Sequence, residues 1–271
     1  MKSVLITGSS GYIGQHLVQL LQSTFDLAGL DIMARDNVKL YQADIRNNVF
    51  DIDQEFDTVV HLAALVNVGE SVQNPWDYYL TNTVGTHNVL TKLKYKNFVF
   101  ASTGAAAQLN SPYGISKRAA EDIVADYCQR NNRTFTTFRF YNVIGSAGFA
   151  PTNPDGLFYN LVRAKQTGKF TIYGTDYNTP DGTCVRDYVH VMEICHAIQK
   201  AIEQPANQLE NLGHGQGNSV QQIVELFKQV NAVEFDTVDA PRRSGDLEVS
   251  VLDNPSAYLP KIYTVEDLLK L

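Results

Sequence analysis

Val4-Leu5-Ile6-Thr7-Gly8-Ser9-Ser10-Gly11-Tyr12-Ile13-Gly14 lies near the start of the chain. The apolar run 4–7 predicts a short buried strand that stops at Gly8. Beyond the glycines, Ile13, Leu17, Leu20 and Leu21 recur at spacings of three and four, which predicts a helix. Three glycines therefore sit in a strand–turn–helix context at G-x-x-G-x-x-G spacing. Gly8 permits a tight turn, Gly11 lets the backbone approach a pyrophosphate, and Gly14 lets helix and strand pack closely. The helix N-terminus offers N–H groups and partial positive charge to such an anion. The spacing differs from the plain G-x-G-x-x-G dinucleotide fingerprint, so the context carries the reading.

Working outward, residues 27–30 read as a second strand ending at Asp31, and 39–43 as a third ending at Asp44. Residues 58–62 and 98–101 give a fourth and a fifth, and the β-branched and aromatic stretch 134–140 a sixth. Helical patterns cover about 76–93 and about 112–129, the second with Pro112 in its first turn. Strands alternating with helices imply a parallel sheet covered on both faces. Right-handed crossovers make it an α/β doubly wound parallel sheet of the Rossmann type, expected over residues 1–145. After Gly145 the segment 146–156 is rich in turn residues, and the elements beyond alternate less regularly. A smaller C-terminal α/β substrate domain is expected over 146–271, with a cleft between the two. The stretch 189–205 is expected to pack back on the first domain.

The 271 residues are 44% hydrophobic and 19% charged, as in an ordinary globular protein, which excludes disorder as the main state. Lys plus Arg total 22 against 29 acidic residues, a formal charge of -7 with no long basic run, so neither nucleic acid nor an anionic membrane is an expected partner. Cys128, Cys184 and Cys195 form no CxxC or Cys/His cluster, so no metal site and no disulfide framework is expected. Three reduced thiols, no apolar run of membrane-spanning length and no leader pattern in the first residues together predict a cytoplasmic protein.

Asp31 stands 17 residues after Gly14. A carboxylate at that strand end accepts hydrogen bonds from an adenosine ribose diol and repels a 2′-phosphate, which favours NAD over NADP. Arg35 nearby keeps NADP open. Asp44 is a candidate for the adenine edge. Tyr113-Gly114-Ile115-Ser116-Lys117 places Tyr113 and Lys117 four apart, on one face at the start of a helix. A tyrosine titrating near 10 is a poor base at neutral pH; a lysine ammonium and a bound nicotinamide cation both favour its phenolate. Tyr113 then becomes a candidate to move a proton to or from a sugar hydroxyl, with Lys117 holding the nicotinamide ribose.

The glycine turn, Asp31, the strand-end Ser102-Thr103 and the Tyr113/Lys117 pair resemble the extended short-chain dehydrogenase/reductase superfamily, and within it the UDP-glucose (UDP-galactose) 4-epimerase family. The stretches 181–191, 211–220 and 241–246 resemble that family's substrate domain. The resemblance implies NAD as cofactor and a UDP-sugar as substrate. The reaction would be inversion at C4 through a transient 4-keto intermediate. It makes Thr103 the catalytic hydroxyl, Tyr113 the base and Lys117 its partner. It extends the cofactor contacts from Gly8, Gly11, Gly14, Asp31 and Asp44 to Ser10, Tyr12, Ile13, Ile32, Ile45, Leu62, Ala63, Ala64, Asn82 and Tyr141. It makes Arg186 and Arg243 the diphosphate clamp, Asp246 the partner of a uridine ribose hydroxyl, Tyr173 the aromatic beside uracil and Asn142 a further substrate contact. A homodimer pairing the helical stretches 76–93 and 112–129 of each copy is implied too.

The chain also departs from the family. Only nine residues separate Thr103 from Tyr113, where members carry a longer loop, and Ala105-Ala106-Ala107 replaces Val-Tyr-Gly. Val66 replaces a lysine. Ser250 stands where some members have tyrosine, and its small size leaves room for an N-acetyl group. Another NAD(P)-dependent nucleotide-sugar reductase or decarboxylase, and a non-catalytic NAD-binding regulatory protein, remain open as alternatives. A 4,6-dehydratase ranks low, because Gly104-Ala105 stands where that chemistry has Asp-Glu.

Overall fold

The structure is a computed structural model that describes residues 1–33, 38–47, 49–243 and 245–271. It divides into two units, Met1–Phe140 with Cys195–Glu210, and Tyr141–Ile194 with Asn211–Leu271.

In the first unit six strands follow one another as β1 (Ser3–Thr7), β2 (Asp26–Asp31), β3 (Lys39–Gln42), β4 (Glu55–His61), β5 (Lys94–Thr103) and β6 (Thr134–Phe140). All five pairings among them are parallel. With the strand Gln208–Leu212 they form a seven-stranded sheet in the order (208–212)-β6-β5-β4-β1-β2-β3. The expected doubly wound α/β sheet is therefore present, and its order reverses between β1 and β4. In such sheets ligands bind outside the carboxyl ends of the strands at that reversal. The Gly8 turn, Leu62-Ala63 and Ser102-Thr103 all occupy those ends.

Apolar runs fill both faces, as a parallel sheet requires. Leu5, Leu30, Val59, Phe98 and Phe100 are buried against Val89, Leu90 and Val124. Each such side chain contributes about 1.5–3 kcal/mol of burial free energy. The helices expected at 13–21 and 112–129 form as α1 (Tyr12–Leu21) and α2 (Pro112–Arg130). Ser111 caps α2 by accepting from Gly114 N at 3.2 Å, and Pro112 occupies the first turn, where its missing N–H costs nothing. The last turns before Glu203 belong to this unit as well. Their carbonyls, unpaired within a helix end, accept from Lys2 Nζ (Ile202 O, 3.2 Å) and Asn97 Nδ2 (Ala201 O, 3.2 Å).

The continuous helix expected at 76–93 is broken. It consists of Pro75–Tyr78, a wider i→i+5 turn over Tyr79–Val84, and Gly85–Lys92. The wide turn places Asn82 fully inside. Its Oδ1 accepts from Leu65 N at 2.9 Å, and its Nδ2 donates to Leu65 O at 2.9 Å and to Ser116 Oγ at 3.0 Å. One buried amide thus ties the chain leaving β4 to α2.

A second buried polar chain joins β1, β4 and this helix. Thr86 Oγ1 donates to Asn82 O at 2.6 Å, so its oxygen accepts from His61 Nε2 at 2.9 Å. His61 Nδ1, left without the proton, accepts from the Thr7 hydroxyl at 2.6 Å, and Thr7 Oγ1 in turn accepts from Ala63 N at 3.2 Å. The network itself dictates the Nε2–H tautomer.

The second unit is built around the strand Val185–His190. It pairs antiparallel with Gly217–Ser219 and parallel with Val249–Ser250 and Asn142–Ile144. Lys169–Tyr173 pairs parallel with Asp236–Ala240 in a separate two-stranded sheet. Its core gathers Ile144, Phe158, Leu161, Ile172, Ile223, Phe227 and Phe235. Asp187, fully buried, accepts from the backbone N–H of His214 (2.8 Å), Gly215 (2.8 Å) and Leu252 (3.3 Å). Three loop amides are thereby pinned to the central strand. Among the described residues no helix is long and apolar enough to cross a membrane.

Burial first, and the nearby Lys117 charge second, pull His61 from 6.5 down to about 3. Between those two pH values the unfolded chain binds a proton that the folded chain refuses, so folding stability rises with pH across that window and falls on acidification. One proton contributes a slope of at most about 1.4 kcal/mol per pH unit. Urea unfolding of the parent and of His61→Gln between about pH 4 and pH 7 should show a flatter pH dependence in the variant. Equal slopes would show that His61 protonates in the folded state.

Candidate functional site

The Gly8 turn has the shape a pyrophosphate needs. Gly8 holds φ +72°, a region a side chain rarely adopts, and a Cβ there would lie 2.7 Å from Ala63 N. A Cβ on Gly14 would lie 2.1 Å from the Gly8 carbonyl oxygen and 2.8 Å from Ser9 Cα. The helix can therefore start against the turn only because position 14 is bare. Gly11 is the N-cap, so it brings no side chain to the helix N-terminus, and Tyr12 and Ile13 follow in the first turn. This cradle, which Cβ atoms would fill, fits a dinucleotide phosphate.

Asp31, at the end of β2, accepts from Ser10 N through Oδ2 (2.9 Å) and from Met33 N through Oδ1 (3.0 Å). Each oxygen retains lone-pair capacity for a ribose hydroxyl. Ser10 Oγ donates to Met33 O at 3.0 Å, which closes the same loop, and Ile32 within it is largely exposed. Arg35 lies outside the described residues. Asp44 is held by its neighbour. Arg46 Nη2 lies 2.6 Å from Oδ2, and this guanidinium keeps the Asp44 carboxyl below the usual range. Ile45 is buried against Gly85, and its carbonyl accepts from Asn88 Nδ2 at 2.9 Å. Leu62 N donates to Thr7 O at 3.1 Å, so Leu62, Ala63 and Ala64 leave β4 directly beside the turn. Asn82 lies behind that segment with its amide already engaged, as described above.

Thr103, Tyr113 and Lys117 come together in the first unit. Thr103 ends β5, and its Oγ1 accepts from Ala105 N at 3.3 Å. The nine-residue connection contains the short helix Ala105–Gln108, turned at Leu109 with φ 54°. A Cβ on Gly114 would lie 2.5 Å from Ala105 O, so the bare Gly114 lets this connection seat directly on α2. Tyr113 and Lys117 are both buried, at 8% and 3% exposure. Burial pushes the Tyr113 phenol up to about 12, partly opposed by a hydrogen bond with Thr103. Burial pulls the Lys117 ammonium from 10.5 down to about 7, and the Glu121 carboxylate opposes that. Lys117 Nζ sits 4.4 Å from the Phe100 ring centroid, in cation–π range. Burial thus favours the protonated phenol and weakens the hold of Lys117 on its proton. An added cation beside them shifts the phenol toward phenolate.

The remaining expected residues lie in the second unit. Arg186, mostly buried, donates from Nη1 to Val185 O at 2.9 Å and stands 3.8 Å from Asp246 Oδ1. The guanidinium of Arg243 stacks over the Tyr173 ring at 3.9 Å and donates to Asp155 O at 3.1 Å. Ser250 is the register partner of Arg186. Asn142 donates from Nδ2 to Asp187 O at 3.0 Å, and Tyr141 N donates to Leu212 O at 3.1 Å. Two arginines thus stand with one carboxylate and one aromatic face, a donor set suited to phosphate oxygens and a flat base.

Sequence reasoning overlooked Glu121. It is buried one turn beyond Lys117, where it binds Ser102 and Arg139. The signal was available, since a carboxylate at i+4 from Lys117 and i+8 from Tyr113 falls on the same helix face.

Residues 4–213 match the NAD dependent epimerase/dehydratase family. A UDP-glucose 4-epimerase 4 of Oryza sativa subsp. japonica is 34% identical over 92% of this chain and 82% of its own length. The structure of the UDP-Glc/GlcNAc 4-epimerase from Campylobacter jejuni superposes with a TM-score of 0.79 at 29% identity, covering 100% of this chain and 97% of that one. The UDP-glucose 4-epimerase from Bifidobacterium longum, solved in complex with NAD+ and UDP, gives 0.86 at 26% identity over 98% and 96%.

Proposed function

The chain belongs to the NAD-dependent epimerase/dehydratase family, and on that premise we propose that it inverts C4 of a UDP-hexose through a transient 4-keto sugar. The observation that carries this reading is the set of buried Tyr113 and Lys117 with half-buried Thr103, found in a chain that also holds Arg186 beside Asp246 and Arg243 over Tyr173.

The glycine cradle and Asp31 would hold NAD, and the chemistry NAD supplies there is reversible hydride transfer at C4. Tyr113 takes the 4-hydroxyl proton and later returns it. Thr103, hydrogen-bonded to Tyr113, stabilises the phenolate that results. Lys117 supports the phenolate in its ammonium form and binds the nicotinamide ribose. Arg186 and Arg243 keep the diphosphate anchored while the keto sugar presents its other face. Retention of that intermediate separates epimerisation from net oxidation, so tight diphosphate binding is part of the catalysis.

The small Ser250, in register with Arg186, supports acceptance of the N-acetyl sugars alongside UDP-glucose and UDP-galactose. Self-association is supported by an apolar stripe. Val72, Trp76, Leu80 and Val84 recur every four residues and are all exposed, Trp76 at 79%. A second copy of the chain, aligned along these helices and α2, would cover them.

Purified protein without added cofactor should interconvert UDP-galactose and UDP-glucose, or the N-acetyl pair, as followed by proton NMR of the C4 configuration. Conversion only when a stoichiometric oxidant or reductant is supplied would favour a net dehydrogenase or reductase. Tyr113→Phe should lower turnover by about 10²–10⁴; near-full turnover would sink the assignment. Ser250→Tyr should depress turnover of the N-acetyl sugars relative to the plain ones, and an unchanged ratio would remove Ser250 as a determinant. Light scattering should give the mass of a dimer, with Trp76→Glu shifting it toward a monomer. A native monomer would overturn the pairing.

A further inference from the structure

Glu121 lies at 3% side-chain exposure on α2, one turn past Lys117 and two past Tyr113. Oε1 accepts from Ser102 Oγ at 2.5 Å and from Arg139 Nε at 2.8 Å, while Oε2 accepts from Arg139 Nη2 at 2.6 Å. Ser102 and Arg139 are register partners across β5 and β6. One carboxylate therefore bridges two strands and the helix bearing Tyr113 and Lys117, and the strand end it grips is followed at once by Thr103.

A buried arginine–glutamate pair is a weak source of stability. Removing two charges from water costs about as much as their attraction returns, and an apolar pair of similar volume often does as well or better. Its position suggests a different use. Lys117 is buried in a site that disfavours its charge, and two features of the fold favour that charge. One is the Phe100 face at 4.4 Å, and the other is Glu121 one turn along α2, at a spacing that brings side chains together. Among the described residues the other ionisable groups named around Lys117 do not supply a counter-charge. His61 stacks on Phe100, centroids 5.7 Å apart, and is neutral at physiological pH. Tyr113 is protonated, and Tyr78, edge-on to Tyr113 at 6.2 Å, is pushed up by burial and by Glu70. Arg139 is cationic and supplies no counter-charge; it holds the Glu121 carboxylate in place through two contacts, at 2.8 and 2.6 Å.

We propose that Glu121 is a positioning residue for the proposed reaction, holding Lys117 in its ammonium form from within a buried bridge to Ser102 and Arg139. The inference rests on the proposed function only in taking Lys117 as functional; the electrostatic link itself belongs to the folded chain. It gives the buried charged pair a use that an apolar pair of similar volume would not supply. A lysine without that counter-charge would be mostly neutral at pH 7 and would no longer favour the Tyr113 phenolate.

The test reads Lys117 directly, in the full chain, by NMR titration of 13C-labelled lysine side chains. The Lys117 signal is identified as the one missing from Lys117→Met. In Glu121→Gln its midpoint should fall by about one pH unit, a tenfold loss of ammonium at a given pH. Should that variant fail to fold because Arg139 loses its contacts with Glu121, the double variant Glu121→Gln/Arg139→Met restores the charge balance and should still lower the midpoint, because Glu121 acts on Lys117 from the next turn of the same helix. An unchanged midpoint in a folded variant overturns the inference, because a merely structural bridge would leave the lysine titration where it was. Sugar conversion by the parent is measured alongside. A fallen midpoint in a chain that converts no UDP-sugar supports the link and rejects the function. Conversion with an unmoved midpoint does the reverse.

Discussion

The carbonyl oxygen of Gly8 lies where a side chain at position 14 would have to be, 2.1 Å from that missing Cβ. The rest of the first unit depends on this near-collision being avoided. Because Gly14 is bare, α1 starts against the turn and packs on the sheet. Because Gly8 tolerates φ +72°, the chain reverses within a few residues of β1. Because that reversal brings Gly8 against Ala63, the ends of β1 and β4 lie side by side where the strand order switches. The opening for a dinucleotide follows from three absent side chains.

Polar groups buried around those strand ends form a second layer of the same design. His61 passes hydrogen bonds from Thr7 to Thr86, and Asn82 ties Leu65 to Ser116. Glu121 joins Ser102 to Arg139. Each group is satisfied, which is what permits its burial; an unpaired one would cost about 1–3 kcal/mol. Satisfied networks also fix geometry more tightly than apolar packing does. Here they surround the phenol and the ammonium, whose protonation is set by burial and by the few charges allowed near them.

Much of this was legible in the chain. The strand at 134–140 forms at the expected residues, and Pro112 with Ser111 marks the start of α2. The spacing of Tyr113 and Lys117 puts both on one buried helix face. Other features were not. The pattern at 76–93 reads as one helix, because a wide turn over Tyr79–Val84 keeps the same apolar residue types. Its reason lies in Leu65 and Ser116, remote in sequence, whose polar groups Asn82 must meet. Asp44 stands at a strand end, as the chain reads, but the grip of Arg46, two residues on, upon its carboxylate was not legible there. A strand end shows where a side chain stands; its partners depend on the rotamers of its neighbours.

The alternation of strand and helix, the glycine turn, and the residue types available for proton transfer and for anion binding follow from the order of residues alone. These are local matters, set by periodicity, by backbone sterics and by the chemistry of single side chains. Which charges those residues carry depends on what folds around them. The shifts of Tyr113 to about 12, Lys117 to about 7 and His61 to about 3 all begin with loss of water, and water is excluded by elements far apart in the chain. Position along the chain names the titratable groups; the dielectric around them, made by elements far apart in the chain, sets when each holds its proton.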